Sequence, residues 1–257
     1  MKKINNKKIQ KYFDNWAKEY NTYLPKLPQY QKLVKSILED ISDLDSNSNI
    51  LEAGIGTGCL AFAIYNRTKA NIIGIDFSEE MIKKCNERSQ AEKTNFDLRV
   101  QNLTEYNVIN NYFDAIISNL TLHHLINTEK QTLISKVYQS LKPGGKFILG
   151  EIIIDFDGNP ANKLWLEHVI KRWRYAAKIA LKYAGPSAAA IELDNMSKVY
   201  LKNFELMNTF QLWKKYLQNA GFKNIKFKFI NKNTGWCKIS AEKIPAYRQA
   251  GVVKGSI

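Results

Sequence analysis

Leu51-Glu52-Ala53-Gly54-Ile55-Gly56-Thr57-Gly58-Cys59 follows a strand pattern and precedes a helix pattern, and its reading decides the fold. A ligand approaches a backbone closely only where side chains are absent, and an open helix N-terminus offers unpaired N–H donors. Asp76 closes the next apolar run, Ile72-Ile73-Gly74-Ile75-Asp76. A carboxylate there is placed to accept hydrogen bonds from a ribose diol. The dinucleotide-binding fingerprint needs small residues at its first, third and sixth positions. Counted from Gly54, the sixth position is Cys59, and the fingerprint fails. Glu52 at the strand end repels a pyrophosphate and suits a ligand that carries an ammonium group.

Strand and helix patterns alternate outward from this turn, which argues for a parallel sheet covered by helices. Strands are expected at Ile50–Ala53, Asn71–Asp76, Asp97–Gln101, Phe113–Asn119 and Lys146–Ile153, and helices near Cys59–Arg67, Glu79–Ala91 and Glu129–Leu141. Ser78 before Glu79-Glu80 is a helix start, a capping hydroxyl followed by carboxylates at the positive end of the dipole. Pro143-Gly144-Gly145 reads as a sharp turn into the fifth strand. Upstream, residues 1–45 read as helices, with Phe13, Trp16 and Tyr20 on one stripe and Leu33, Ile37 and Ile41 on another, the latter within Gln29–Leu44. Residues 160–205 form a helical insertion. A helix at Phe210–Ala220, strands near Phe222–Ile230 and Trp236–Ala241, and a loose tail over 244–257 complete a single domain spanning 1–257.

Composition sets the outer bounds. At 257 residues the chain buries roughly 70–75% of its unfolded surface, so a core needs neither disulfides nor a structural metal. The longest apolar stretch, Lys146–Asp155, is broken by Glu151 and is too short to span a bilayer. The net charge is +14, yet only six of the 38 cationic side chains are arginines, the residue that phosphate and base recognition recruits. A general bias toward lysine accounts for this balance better than a dedicated nucleic-acid surface. Three cysteines without a CxxC pair and three histidines make no metal pattern, and the expected location is the reducing cytoplasm.

The turn, Asp76, Phe113-Asp114-Ala115-Ile116-Ile117-Ser118-Asn119 and Leu141-Lys142-Pro143-Gly144-Gly145-Lys146-Phe147 together resemble the class I S-adenosylmethionine-dependent methyltransferases. Phe13-Asp14-Asn15-Trp16-Ala17-Lys18-Glu19-Tyr20 is similar to the cofactor-covering helix of small-molecule members, including those of quinone biosynthesis. The resemblance runs from about Phe13 to Ala241. It implies an α/β Rossmann-like sheet of seven strands with helices on both faces, the last strand antiparallel, and N-terminal helices and a helical lid insertion around it. It further implies S-adenosyl-L-methionine as cofactor. Glu52, Gly54 and Gly56 would hold the methionine part, with Asn119 near it, and Gly58 and Tyr20 would also contact the cofactor. Asp76 would bind the ribose hydroxyls and Phe77 would flank the adenine, with Met81 and Leu103 among the cofactor-binding residues. Where relatives often carry an aspartate facing the adenine amine, this chain has Asn102, whose carbonyl can accept from that amine.

Methyl transfer from a sulfonium needs mainly alignment, with a base useful for a hydroxyl or carbon acid. His123 and His124 follow the fourth strand at the ligand-binding end of the sheet. Either could serve as that base, or both could pack the next helix. Glu151 ends a strand in the same direction and could orient a substrate or serve the backbone. In the insertion, aromatics interleave with cations. Trp165, Arg172, Trp173, Arg174 and Tyr200 are candidates for gripping an aromatic, acidic or lipid-like acceptor, or an anionic membrane. The bland alternative is an amphipathic cover with solvated lysines. Amino-directed DNA methyltransferases resemble D/N-P-P-Y/F at the fourth strand, whereas this chain reads Asn119-Leu120-Thr121-Leu122, so a nucleic-acid acceptor is not expected.

Overall fold

The computed structural model describes residues 22–154, 163–202 and 207–245. The helix expected over Phe13–Tyr20 and most of the expected tail lie outside them. Strand β1 (Asn49–Ala53) occupies the middle of the sheet, parallel to β2 (Asn71–Asp76) on one side and β4 (Phe113–Asn119) on the other. Outside these lie β3 (Asp97–Val100) and β5 (Leu141–Ile152), also parallel. β7 (Trp236–Glu242) enters antiparallel between β5 and β6 (Lys223–Asn231), giving the order β3-β2-β1-β4-β5-β7-β6.

The strands are apolar on both sides because helices cover both. Ile50, Ile117 and Ile148 face α1 (Pro28–Asp40) and α2 (Cys59–Thr68), where Leu33, Ile37 and Phe62 pack. α3 (Glu79–Ala91) joins this layer through Ile82 and Cys85. Leu51, Ile116 and Phe147 point the other way, into Leu133 and Val137 of α4 (Asn127–Ser140) and Trp213 and Leu217 of α7 (Phe210–Ala220). The insertion is a helical hairpin, α5 (Lys163–Ala184) and α6 (Pro186–Lys202), joined at Gly185 with φ +93°.

Three expected boundaries move for visible reasons. α1 begins at Pro28, where a missing N–H costs nothing, and stops at Asp40 rather than Leu44, although Ile41 keeps its place in the buried stripe. α4 starts early because the Glu129 carboxylate reaches back to the Ile126 amide at 3.0 Å. Pro143-Gly144-Gly145 lies within β5 rather than ahead of it. The register against β4 jumps between Phe113 and Ala115, and Gly144, at φ +89°, donates to the Lys243 carbonyl at 2.6 Å. A partner distant in sequence thus turns the expected turn into a bulge.

Among the described residues, no helix is long and apolar enough to cross a membrane, and no group of metal-ligating side chains forms. All three cysteines are free thiols.

Candidate active site

The glycine turn is held by β2. Gly54 and Ile55 donate to the Ile75 carbonyl at 2.8 and 3.0 Å, and Gly56 donates to Asp76 Oδ2 at 2.9 Å. Asp76 Oδ1 accepts from the Ser78 amide at 3.0 Å, while Ser78 caps α3 through the Met81 amide at 3.2 Å. The carboxylate therefore joins the turn to the start of α3. All three turn glycines have φ between +54° and +83°. Their needs for a missing side chain differ. A Cβ on Gly54 would collide with the Thr121 side chain, and one on Gly58 would meet Cys85 Sγ at 2.7 Å and Phe62 at 2.9 Å. Among the described residues, a Cβ on Gly56 would meet only Met81 Sδ at 3.9 Å. Gly58 serves helix packing, whereas Gly56 borders open space.

That space opens into a pocket of about 660 Å³, counting its open mouth. Glu52, Gly54, Gly56 and Asp76 form one part of its wall, and Phe77, Met81 and Leu103 another. Asn119, Thr121 and His124 form the side beyond β4. Glu52 is 2% exposed, receives the Ala61 amide of α2, and keeps Oε2 without a hydrogen-bond partner. Burial, and after it the Asp76 charge, push its carboxyl well above the usual carboxylate range. Asn119 Oδ1 is a second buried acceptor without a partner. Two orphaned acceptors beside a bare glycine turn fit a ligand that has an ammonium group and an adenosine-like body. S-adenosylmethionine has both.

The adjacent histidines have different surroundings. His124 lines the pocket. His123 is turned away and buried, its Nδ1 3.1–3.2 Å from both Glu151 oxygens, and its ring lies 4.2 Å from that of His124. Behind this pair the buried Lys130 ammonium donates to Asn208 Oδ1 at 3.2 Å, and burial, opposed by the Glu151 charge, brings its pKa down to about 8.

The other candidates are spread more widely. Asn102 is outside the pocket wall, its Oδ1 accepting from the Thr104 amide at 3.0 Å. No residue of α5 lines the pocket. Arg172 is buried, with its guanidinium donating to the Ile153 carbonyl, and Trp165 and Trp173 pack with Val169 and Met207. Arg174 faces solvent. Arg172 and Trp173 are thus on the buried side of α5 and Arg174 on the solvent side, as helix periodicity allows for residues one and two apart. Tyr20 and the side chain of Tyr200 lie outside the described residues. The sequence reading missed Leu24, Tyr30 and Thr121 as wall residues. Gly150, whose Cβ would strike Asn119 Oδ1, was the one sequence signal for a shaped strand end, whereas the φ of +54° at Leu120 is visible only in the fold.

The chain is similar to known proteins in sequence and in fold. Residues 50–145 match the family model described as "Methyltransferase domain". The chain is 30% identical over 145 residues to a carboxy-S-adenosyl-L-methionine synthase of Shewanella loihica, a match covering 54% of this chain and 58% of that one. It is 27% identical over 212 residues to the enzyme of the same name from Campylobacter fetus, covering 78% and 80%. Among solved structures, phosphoethanolamine N-methyltransferase 2 of Haemonchus contortus, in complex with S-adenosyl-L-methionine, shares the fold with a TM-score of 0.60 at 17% identity. That match covers 82% of this chain and 52% of that one.

Proposed function

We propose that this chain, which belongs to the class I S-adenosylmethionine-dependent methyltransferases, moves a methyl group to a small-molecule acceptor seated on the Thr121–His124 side of the pocket. The observation that carries the reading is the partnerless Glu52 Oε2 beside the open space at Gly56. When bound, S-adenosylmethionine supplies a methyl already activated by the sulfonium, so the protein's main work is alignment. Glu52 would receive the ammonium and Asp76 the ribose hydroxyls. Phe77, Met81 and Leu103 would enclose the adenine, and Asn119 would meet the methionine part. His124 is the residue placed to take a proton from a hydroxyl or carbon acid, and His123, held by Glu151, fixes the backing of that ring. An aromatic, acidic or lipid-like acceptor, a cytoplasmic site of action and contact with an anionic membrane belong to the same reading.

The relatives' name supports a second reading, synthesis of a carboxylated S-adenosylmethionine. Such chemistry adds a carboxylate beside the sulfonium, where a cation would be wanted. No lysine or arginine lines the pocket among the described residues, which favours methyl transfer.

Titration calorimetry with S-adenosylmethionine should show binding, and Asp76→Ala should weaken it by about 1.5–3 kcal/mol, the range for a hydrogen bond to a charged group. Tight NADH binding without any response to S-adenosylmethionine would overturn the reading. Mass spectrometry of the spent cofactor separates the two chemistries. A demethylated product supports methyl transfer, and a carboxylated one supports the second reading.

A further inference from the structure

A second concavity lies beside α1 and is lined by residues other than those of the pocket. It encloses about 760 Å³, counting its open side, between the start of α1, the C-terminal half of α5 and the end of β6. Three lysines converge there, Lys32, Lys178 and Lys182, and among the described residues no carboxylate lines it. Several lysines elsewhere have acidic partners, as in Lys142 with Asp114, Lys146 with Asp43 and Lys238 with Asp40. The three cleft lysines form no ion pair among the described residues. Converging like charges repel one another, and the arrangement is relieved by a bound anion.

Two further features define what the anion must carry. Tyr175 and Tyr183 are 39% and 46% exposed, so each has ring surface free to stack, and the Lys182 ammonium lies 5.2 Å from the Tyr183 ring centroid. Gln29 lines the same cleft, is 3% exposed, and its Oε1 has no hydrogen-bond partner. A buried carbonyl without a partner is costly, and a donor on a ligand would recover that cost. Cations for a multivalent anion, rings for a planar body and a buried acceptor for an N–H describe one kind of molecule. We propose that this cleft binds a nucleoside phosphate, with its phosphates on Lys32, Lys178 and Lys182, its base against Tyr175 or Tyr183, and a base N–H on Gln29. The ammoniums act as point charges on the phosphates, and the stacking is tolerant of base identity.

The cleft and the cofactor pocket share the first turn of α1, since Tyr30 belongs to the pocket wall and Gln29 to the cleft. The test must therefore separate them. Binding of ADP, inorganic pyrophosphate and S-adenosylhomocysteine would be measured by calorimetry on the whole chain and on variants. ADP should bind, and Lys178→Glu with Lys182→Glu should weaken it about tenfold or more while leaving S-adenosylhomocysteine affinity unchanged. Tyr175→Ala and Gln29→Leu should each weaken ADP and leave pyrophosphate unaffected. Gly56→Val should remove S-adenosylhomocysteine and retain ADP, so failure of the cofactor reading is read independently of this one. ADP binding lost in Gly56→Val but kept in the lysine variants would place the nucleotide in the cofactor pocket and overturn the proposal. Absence of ADP binding, or pyrophosphate binding as tightly as ADP, would do the same. A single-stranded oligonucleotide that binds more tightly than ADP, and is lost in the same lysine variants, would replace the free nucleotide by a strand as occupant and also overturn it.

Discussion

Glu52 illustrates how a site residue costs stability in the absence of its ligand. Its folded-state pKa lies above the ordinary value of 4.5, chiefly through burial. The folded state therefore holds the proton as pH rises past that value while the unfolded state releases it, and stability declines. Glu52→Gln should flatten this decline. Its melting temperature from pH 4.5 upward should fall less than that of the native protein, and the variant should bind cofactor more weakly. Parallel melting curves for the two proteins would contradict the role given to Glu52. The glycines should divide in the same way. Gly56→Val should abolish cofactor binding, since the added side chain enters the pocket, while the fold persists at the cost of a strained φ of +54°. Gly54→Ala should instead lower the melting temperature itself, because its Cβ meets Thr121. Circular dichroism melts beside calorimetry distinguish the two outcomes. These residues were legible in the sequence because glycine, a strand-end glutamate and a following aspartate make local demands. Thr121 and Tyr30 were not, since an ordinary threonine or tyrosine becomes a wall residue only through contacts made across the fold.

Among the elements, those with local signals match their sequence reading most closely. α3 runs over Glu79–Ala91 as expected because its Ser78 cap and its carboxylates act within one turn. β2 and β4 also keep their expected bounds, being apolar runs ended by Asp76 and Asn119. The bulge in β5 was not legible, since its glycines answer to the Lys243 backbone, far along the chain. α5 shows the same limit for side chains. Its interleaved cations look alike in sequence, yet Arg172 is buried on the Ile153 carbonyl and Arg174 is solvated. Arg172→Ala should cost about 1.5–3 kcal/mol, lowering the melting temperature by roughly 2–4 °C per kcal/mol. Arg174→Ala should stay within about 0.5 kcal/mol. Cofactor affinity should be unchanged in both, because α5 has no place in the pocket wall. Equal melting temperatures for the two variants would remove the structural role of Arg172.

At the scale of the whole molecule, the pocket and the closure of the sheet come from different parts of the chain. The described pocket wall runs from Leu24 to His124, whereas β5 and β6 are joined only by β7, antiparallel to both. A chain stopped after Asn231 would leave β6 without its partner strand and β5 with an open, largely apolar edge, the kind of edge that templates association. It should be recovered as aggregate, and a monodisperse truncated product that still binds cofactor would refute this. The same insertion has a meaning in time. Synthesis delivers the N-terminal part first, so the β5 edge emerges from the ribosome well before the strand that covers it. Between Ile152 and Trp236 the nascent chain carries a nearly complete pocket beside an unsealed sheet. Demand for chaperone protection is therefore concentrated in that interval of translation, and slowing the ribosome there should reduce soluble yield more than slowing it anywhere upstream.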